Sequence, residues 1–168
     1  MSELLTEFEQ KFAILKKELK FKTSLEEIDE IFFIRDFISD KGYVSTSLSR
    51  QICWRIVDLF TMWYGYLHNI IVPNPGSMVS ITESSQFNEQ EKAEIMDIMN
   101  QFMKITSTNM FVGLTRDKRA EARFIDGAVE TWNTLKPKLM NISTRVNTLW
   151  KEKAETPTKP QKKEAHYG

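Results

Sequence analysis

Two histidines and one cysteine are all that this chain of 168 residues offers for nucleophilic or imidazole-based chemistry. Cys53 and His68 fall in one apolar, helix-forming run, about four turns and more than 20 Å apart along it, too far to act as a thiol and base pair. His166 lies close to the C-terminus. A lone cysteine builds neither an intramolecular disulfide nor a cysteine-based zinc site, so Cys53 is expected to be a buried small hydrophobe. Carboxylates recur at three-residue steps in Glu27-x-x-Glu30 and Glu91-x-x-Glu94-x-x-Asp97. Such acids could hold magnesium if two helices turned them into one cleft. Because the second set lies largely opposite the apolar stripe of its helix, a solvated acidic face is the expectation. No Glu-x-x-His pair, phosphate loop or dinucleotide fingerprint is present. We therefore expect no catalytic residues, no metal and no cofactor.

Basic residues give a sharper local signal. Arg116, Lys118, Arg119 and Arg123 cluster at the start of a segment with helical period. The positive end of the helix dipole disfavours cations there, by roughly 0.3 to 1 kcal/mol each, so helix stability does not explain them. Either Asp117 and Glu121 neutralise the cluster as surface ion pairs, or guanidinium groups and free backbone amides form a site for phosphate, nucleic acid or an acidic partner. The chain carries 23 basic and 23 acidic residues, yet residues 1–115 sum to −5 and residues 116–168 to +5. Arg55 and Asp58, three apart within the apolar run, are expected to be a buried structural ion pair whose loss would be strongly destabilising.

The elements that position these groups read as helices throughout. Glycine and proline number only 6 and 5, and apolar residues recur at three- and four-residue steps. The first stripe runs through Leu4, Leu5, Phe8, Phe12, Leu15 and Leu19, with Ser2 as its cap. Ser24 and Glu27 form a capping box for a second helix that ends near Gly42. The apolar run from Ile52 to Val72 is the expected central helix, roughly 35 Å long. It is too interrupted by Asp58, His68 and Asn69 to span a membrane. Pro73-Asn74-Pro75-Gly76 stops it, and a polar connector follows to Asn88, which with Glu91 looks like a cap. Ile95, Ile98, Met99, Phe102 and Ile105 define the next stripe. Met96 and Met103 border it, as core residues or as a soft binding face. Gly113 marks an expected break. A last stripe through Phe124, Ile125, Val129, Trp132 and Leu135 is expected to kink or end at Pro137, then resume to about Lys153.

The expected architecture is thus an all-α, single-domain bundle of five or six helices around a long apolar central helix, over residues 1–153. Residues 154–168, rich in Lys, Glu, Pro and Thr, are expected to be a disordered polar tail. No leader precedes the first amphipathic stripe, which makes a cytoplasmic location the expectation. Function is read first as a non-enzymatic protein–protein interaction or assembly subunit, a small helical component of a larger complex that assembles with itself or with a protein partner and not with a membrane. The alternative is a nucleic-acid-binding accessory protein acting through Arg116, Lys118, Arg119 and Arg123. A magnesium-dependent all-α hydrolase acting through Glu27, Glu30, Glu91 and Glu94 is the third reading.

Overall fold

A computed structural model describes residues 3–155, and every regular element among them is a helix. In chain order these are α1 (Glu3–Leu19), α2 (Leu25–Phe32), α3 (Ile34–Lys41), α4 (Leu48–Ile71), α5 (Met78–Ser84), α6 (Glu89–Thr115) and α7 (Lys118–Glu155). The expected cap at Ser2 and nearly all of the expected tail, with His166, lie outside the described residues.

The long helices α4, α6 and α7 pack along one another, and α1, α2 and α3 close the bundle over α4 and α7. One apolar core draws on every long helix, from Phe8 and Phe12 of α1 to Leu139 and Val146 of α7. At its centre Phe60 of α4 meets Phe32 of α2, Phe102 of α6 and Trp132 of α7, with ring centroids 6.2, 5.1 and 5.9 Å away. Four elements converge on this one side chain, which is 0% exposed.

The helix boundaries follow local chemistry. Ser24 and Glu27 exchange side-chain and backbone hydrogen bonds as a capping box, and Asn88 and Glu91 do the same for α6. Gly42 ends α3 in the left-handed region. Among the described residues seven helices stand where five or six were expected, for two reasons. First, the chain breaks at Phe33, which takes φ 51° without being glycine. Such a conformation costs an L-residue on the order of 1–2 kcal/mol. It is offset by the Phe33 N–H donating to Asp29 O, by the Arg35 N–H donating to Asp29 Oδ1, and by Arg55 Nε donating to the freed Phe32 carbonyl at 2.6 Å. Second, the connector after Pro75 holds the short helix α5, capped by Ser77. Trp150 Nε1 of α7 donates to Glu83 Oε1 of α5 at 2.8 Å, and burial with the nearby Glu83 carboxylate pushes the Tyr66 phenol up to about 12.

Of two expected breaks, the one at Pro137 does not occur and the one at Gly113 falls just beyond the glycine. Pro137 sits inside α7, which runs through it without interruption in its assignment. Pro137 and Asn133 are both exposed, so water can satisfy the Asn133 carbonyl that proline leaves without an N–H partner. Gly113 lies in the last turn of α6, which ends two residues later at Thr115 with Arg116, left-handed at φ 51°, as its cap, and α7 begins at Lys118. What glycine provides at 113 is room: a Cβ there would lie 2.9 Å from a guanidinium nitrogen of Arg50. None of the described helices is long and apolar enough to cross a membrane.

Candidate interaction surface

Asp117 shapes the corner between α6 and α7. Its carbonyl accepts from the Glu121 N–H and its Oδ1 from the Arg119 N–H at 2.9 Å, so the carboxylate already serves an amide of the first turn of α7. Arg116, Lys118, Arg119 and Arg123 are all exposed there, within two turns. Arg123 pairs with Asp117 at 3.7 Å. The expected second neutralising group is elsewhere: Glu121 points inward, only 6% exposed, and accepts from Ser49 Oγ of α4 at 2.5 Å. Helical phase explains this, since Glu121 stands four residues before Ile125 on the core-facing side of α7.

Arg55 and Asp58 do not form the ion pair their spacing suggested. Asp58 is exposed, while Arg55 reaches the α2–α3 junction, where its guanidinium bonds the Phe32 carbonyl and lies 5.8 Å from the centre of the Phe37 ring. A neighbouring helix offered Arg55 a buried acceptor that local spacing could not reveal. Asp58→Ala is accordingly expected to change the free energy of unfolding by no more than about 0.5 kcal/mol in urea melts. A loss several times larger would restore the ion-pair assignment.

The acidic residues are mostly engaged in capping and surface pairs. Glu27 serves the α2 cap and Glu30 reaches Lys136 at 4.0 Å. Glu91 serves the α6 cap and is bonded by Arg145 of α7, whose guanidinium also donates to the Gln86 carbonyl and lies 4.5 Å from the Phe87 ring centre. Among the described residues no three histidine, cysteine or acidic side chains converge as a metal site. The Arg145 bond, then the Asn88 backbone N–H, hold the Glu91 carboxyl below its ordinary 4.5. The Ser24 N–H and hydroxyl do the same for Glu27. A carboxyl with a lowered folded value contributes stability that is complete above its unfolded value and lost as pH falls through the folded one. Stability is therefore expected to decline with acidification from about pH 4.5 downward, and an E27Q/E91Q double variant should show a shallower decline. Parallel pH profiles for the two proteins would contradict this.

Cys53 and His68 stay apart. The thiol is fully buried against the Glu121 carbonyl, and burial, then the Glu121 charge, push it up to about 12. The exposed His68 stacks on Tyr64, one turn away. Cys53 should resist a thiol reagent in the native protein and react stoichiometrically in denaturant. Rapid native labelling would show that the α4–α7 contact opens.

Apolar side chains on the outer face of α6 are the feature the sequence reading singled out only in part, with the bordering methionines left open between core and binding face. Met99 is core, but Met96 and Met103 are exposed, and Met110, Phe111 and Leu114 are 66, 67 and 84% exposed. Trp54 of α4 is exposed beside the C-terminal half of α6: the Arg50 guanidinium lies 5.0 Å from the Trp54 ring centre and also donates, at 3.4 Å, to the Asn109 carbonyl. Ala93, Met96, Asn100, Met103, Ser107, Met110 and Leu114 repeat at alternating three- and four-residue steps, all exposed. This alternation, on the side of α6 away from Ile95, Ile98 and Phe102, was the available signal. Two open hollows flank α4. One, of about 410 Å³, is lined by Phe37, Lys41, Tyr43, Arg50 and Trp54. The other, about 420 Å³ and more apolar, is lined by Met62, Trp63, Tyr66 and Val146.

Fold and surface together define an all-α helical bundle with an apolar outer stripe ending beside a basic corner. Comparison of the chain with protein-family models, curated proteins and solved structures gave no match.

Proposed function

We propose that this chain is a non-enzymatic assembly subunit, a small helical component that works by binding a protein surface. The observation that carries this reading is the outer face of α6. Isolated exposed apolar residues are ordinary, but Met110, Phe111 and Leu114 are neighbours on the helix surface, and Met103 and Met96 extend the face at seven-residue steps with Ser107 and Asn100 between, the kind of patch that interfaces cover. Methionine suits such a surface because its unbranched side chain adapts to a partner. Of the acids that might have served catalysis, Glu27, Glu30 and Glu91 are instead committed to helix caps and ion pairs.

The test is the size of the native particle. In a gentle extract of cells that express the protein at its normal level, it should elute well above its 19.7 kDa, and a Phe111→Glu/Leu114→Glu variant should shift toward that mass. A wild-type protein eluting as a 19.7 kDa monomer would overturn the reading.

A second reading, a nucleic-acid-binding accessory protein, is favoured by one observation: Arg116, Lys118, Arg119 and Arg123 share one exposed corner with Asp117 as their only ion-pair partner among the described residues. Phosphate contacts release counterions, so binding of this kind weakens steeply with salt. Fluorescence anisotropy of labelled single strand and duplex, titrated at low and physiological salt, tests it. Salt-sensitive binding lost in an R116Q/R119Q/R123Q variant would put this reading first, and absence of binding even at low salt would remove it.

A further inference from the structure

The assembly reading leaves the partner open, and α6 itself narrows it. The stripe from Ala93 to Leu114 has the three-four spacing of a two-helix seam and is about 32 Å long at 1.5 Å per residue. Charge along the helix is polar. Glu89, Glu91, Glu94 and Asp97 outnumber Lys92 in its first third, where Glu89 pairs with Lys92 at 3.6 Å and is 94% exposed, whereas the helix ends at Arg116 beside Lys118 and Arg119 of the α6–α7 corner.

We infer that α6 pairs antiparallel with α6 of a second copy of this chain, about a two-fold axis near Met103. Resting as it does on the assembly reading, this names the partner. In that register Met96 of each copy meets Met110 of the other, Asn100 meets Ser107, and the small Ala93 meets the large Leu114. Two polar pairs and two small-to-large pairs thus fall opposite one another without any adjustment of spacing. The acidic start of each helix faces the basic corner at the end of the other, the corner that carries Arg116. A parallel pair would set acid against acid and base against base, which disfavours it. An interface built on one exposed helix face is isologous, as a closed dimer requires.

Sedimentation of the purified protein, with cysteine cross-linking, tests this. At about 100 μM the wild type should sediment as a dimer, and Met103→Glu, which sets two carboxylates face to face at the axis, should weaken dimerisation by at least about a hundredfold while leaving the circular dichroism spectrum and melting midpoint of the monomer intact. Oxidation should cross-link M103C to itself and A93C/L114C in the double variant, but not A93C alone. Cys53 is buried and stays silent. A monomeric wild type, a dimer indifferent to Met103→Glu, or cross-linking of A93C alone would each overturn antiparallel self-pairing. A pure protein that is monomeric although its native particle is large would remove self-pairing and leave the assembly reading standing. A monomer in both settings would remove both.

Discussion

Phe60→Ala is expected to lower the free energy of unfolding by about 3–5 kcal/mol, the usual cost of removing a fully buried phenylalanine. The ring is 0% exposed and touches aromatic rings from three other helices, edge-on with Phe102 and Trp132. Deleting it removes transfer free energy, leaves a cavity where α2, α4, α6 and α7 converge, and forfeits ring-to-ring contacts worth about 0.5–1.5 kcal/mol each. For a domain with typical stability of roughly 5–15 kcal/mol, this is about a fifth or more of the total. Chemical denaturation should show the midpoint falling with little change in slope. Phe111→Ala, on the same helix as Phe102 but exposed, should stay within about 0.5 kcal/mol of wild type. Equal losses for the two variants would mean that the aromatic centre of the bundle has been misplaced.

Asp126→Ala should be the most damaging single change outside the apolar core, at about 2–4 kcal/mol. The Asp126 carboxylate of α7 accepts from the Lys22 N–H at 3.0 Å, the Thr23 N–H at 3.0 Å and Thr23 Oγ1 at 2.7 Å, and Thr23 is buried. Hydrogen bonds to a charged group contribute about 1.5–3 kcal/mol each, less than additively when they share one acceptor. Losing the carboxylate would leave a buried hydroxyl and a backbone N–H without their acceptor. The effect should be local as well as global: hydrogen exchange at Lys22 and Thr23 should accelerate beyond what the fall in overall stability explains. Exchange that accelerates evenly along the chain would show that Asp126 does not specifically anchor the α1–α2 link.

Much of the architecture could be read from the chain because periodicity and capping are local. The Ser24–Glu27 and Asn88–Glu91 boxes, the left-handed Gly42 and the stop after the apolar run all stand where their residue types placed them. What misled were positions whose outcome depends on a neighbour in space. Phe33 breaks a helix without glycine or proline because Asp29, Arg35 and Arg55 stabilise the break. Gly113 reads as a terminator, yet its missing Cβ makes room for Arg50 from α4. Pro137 reads as a kink or an end, yet it lies on a solvent face where the lost hydrogen bond can be made to water. Glu121 reads as a surface charge, yet it turns toward Ser49. The same limit applied to the surface. Arg116, Lys118, Arg119 and Arg123 are each exposed around the α6–α7 turn. Met110, Phe111 and Leu114 passed unnoticed because an apolar residue on the polar side of a stripe becomes informative only once no other helix of the chain covers it.

The central claim is that the outer face of α6 is covered by protein in the cell, and methionine oxidation measures that directly. Peroxide converts exposed methionine to its sulfoxide faster than buried methionine, so the dissociated protein should oxidise at Met103 and Met110 well ahead of the buried Met99. In the native particle, treated under the same conditions, Met103 and Met110 should be protected several-fold while the exposed Met140, on α7, reacts as before. Oxidation of Met103 and Met110 at the same rate in the native particle and in the dissociated protein would contradict the claim.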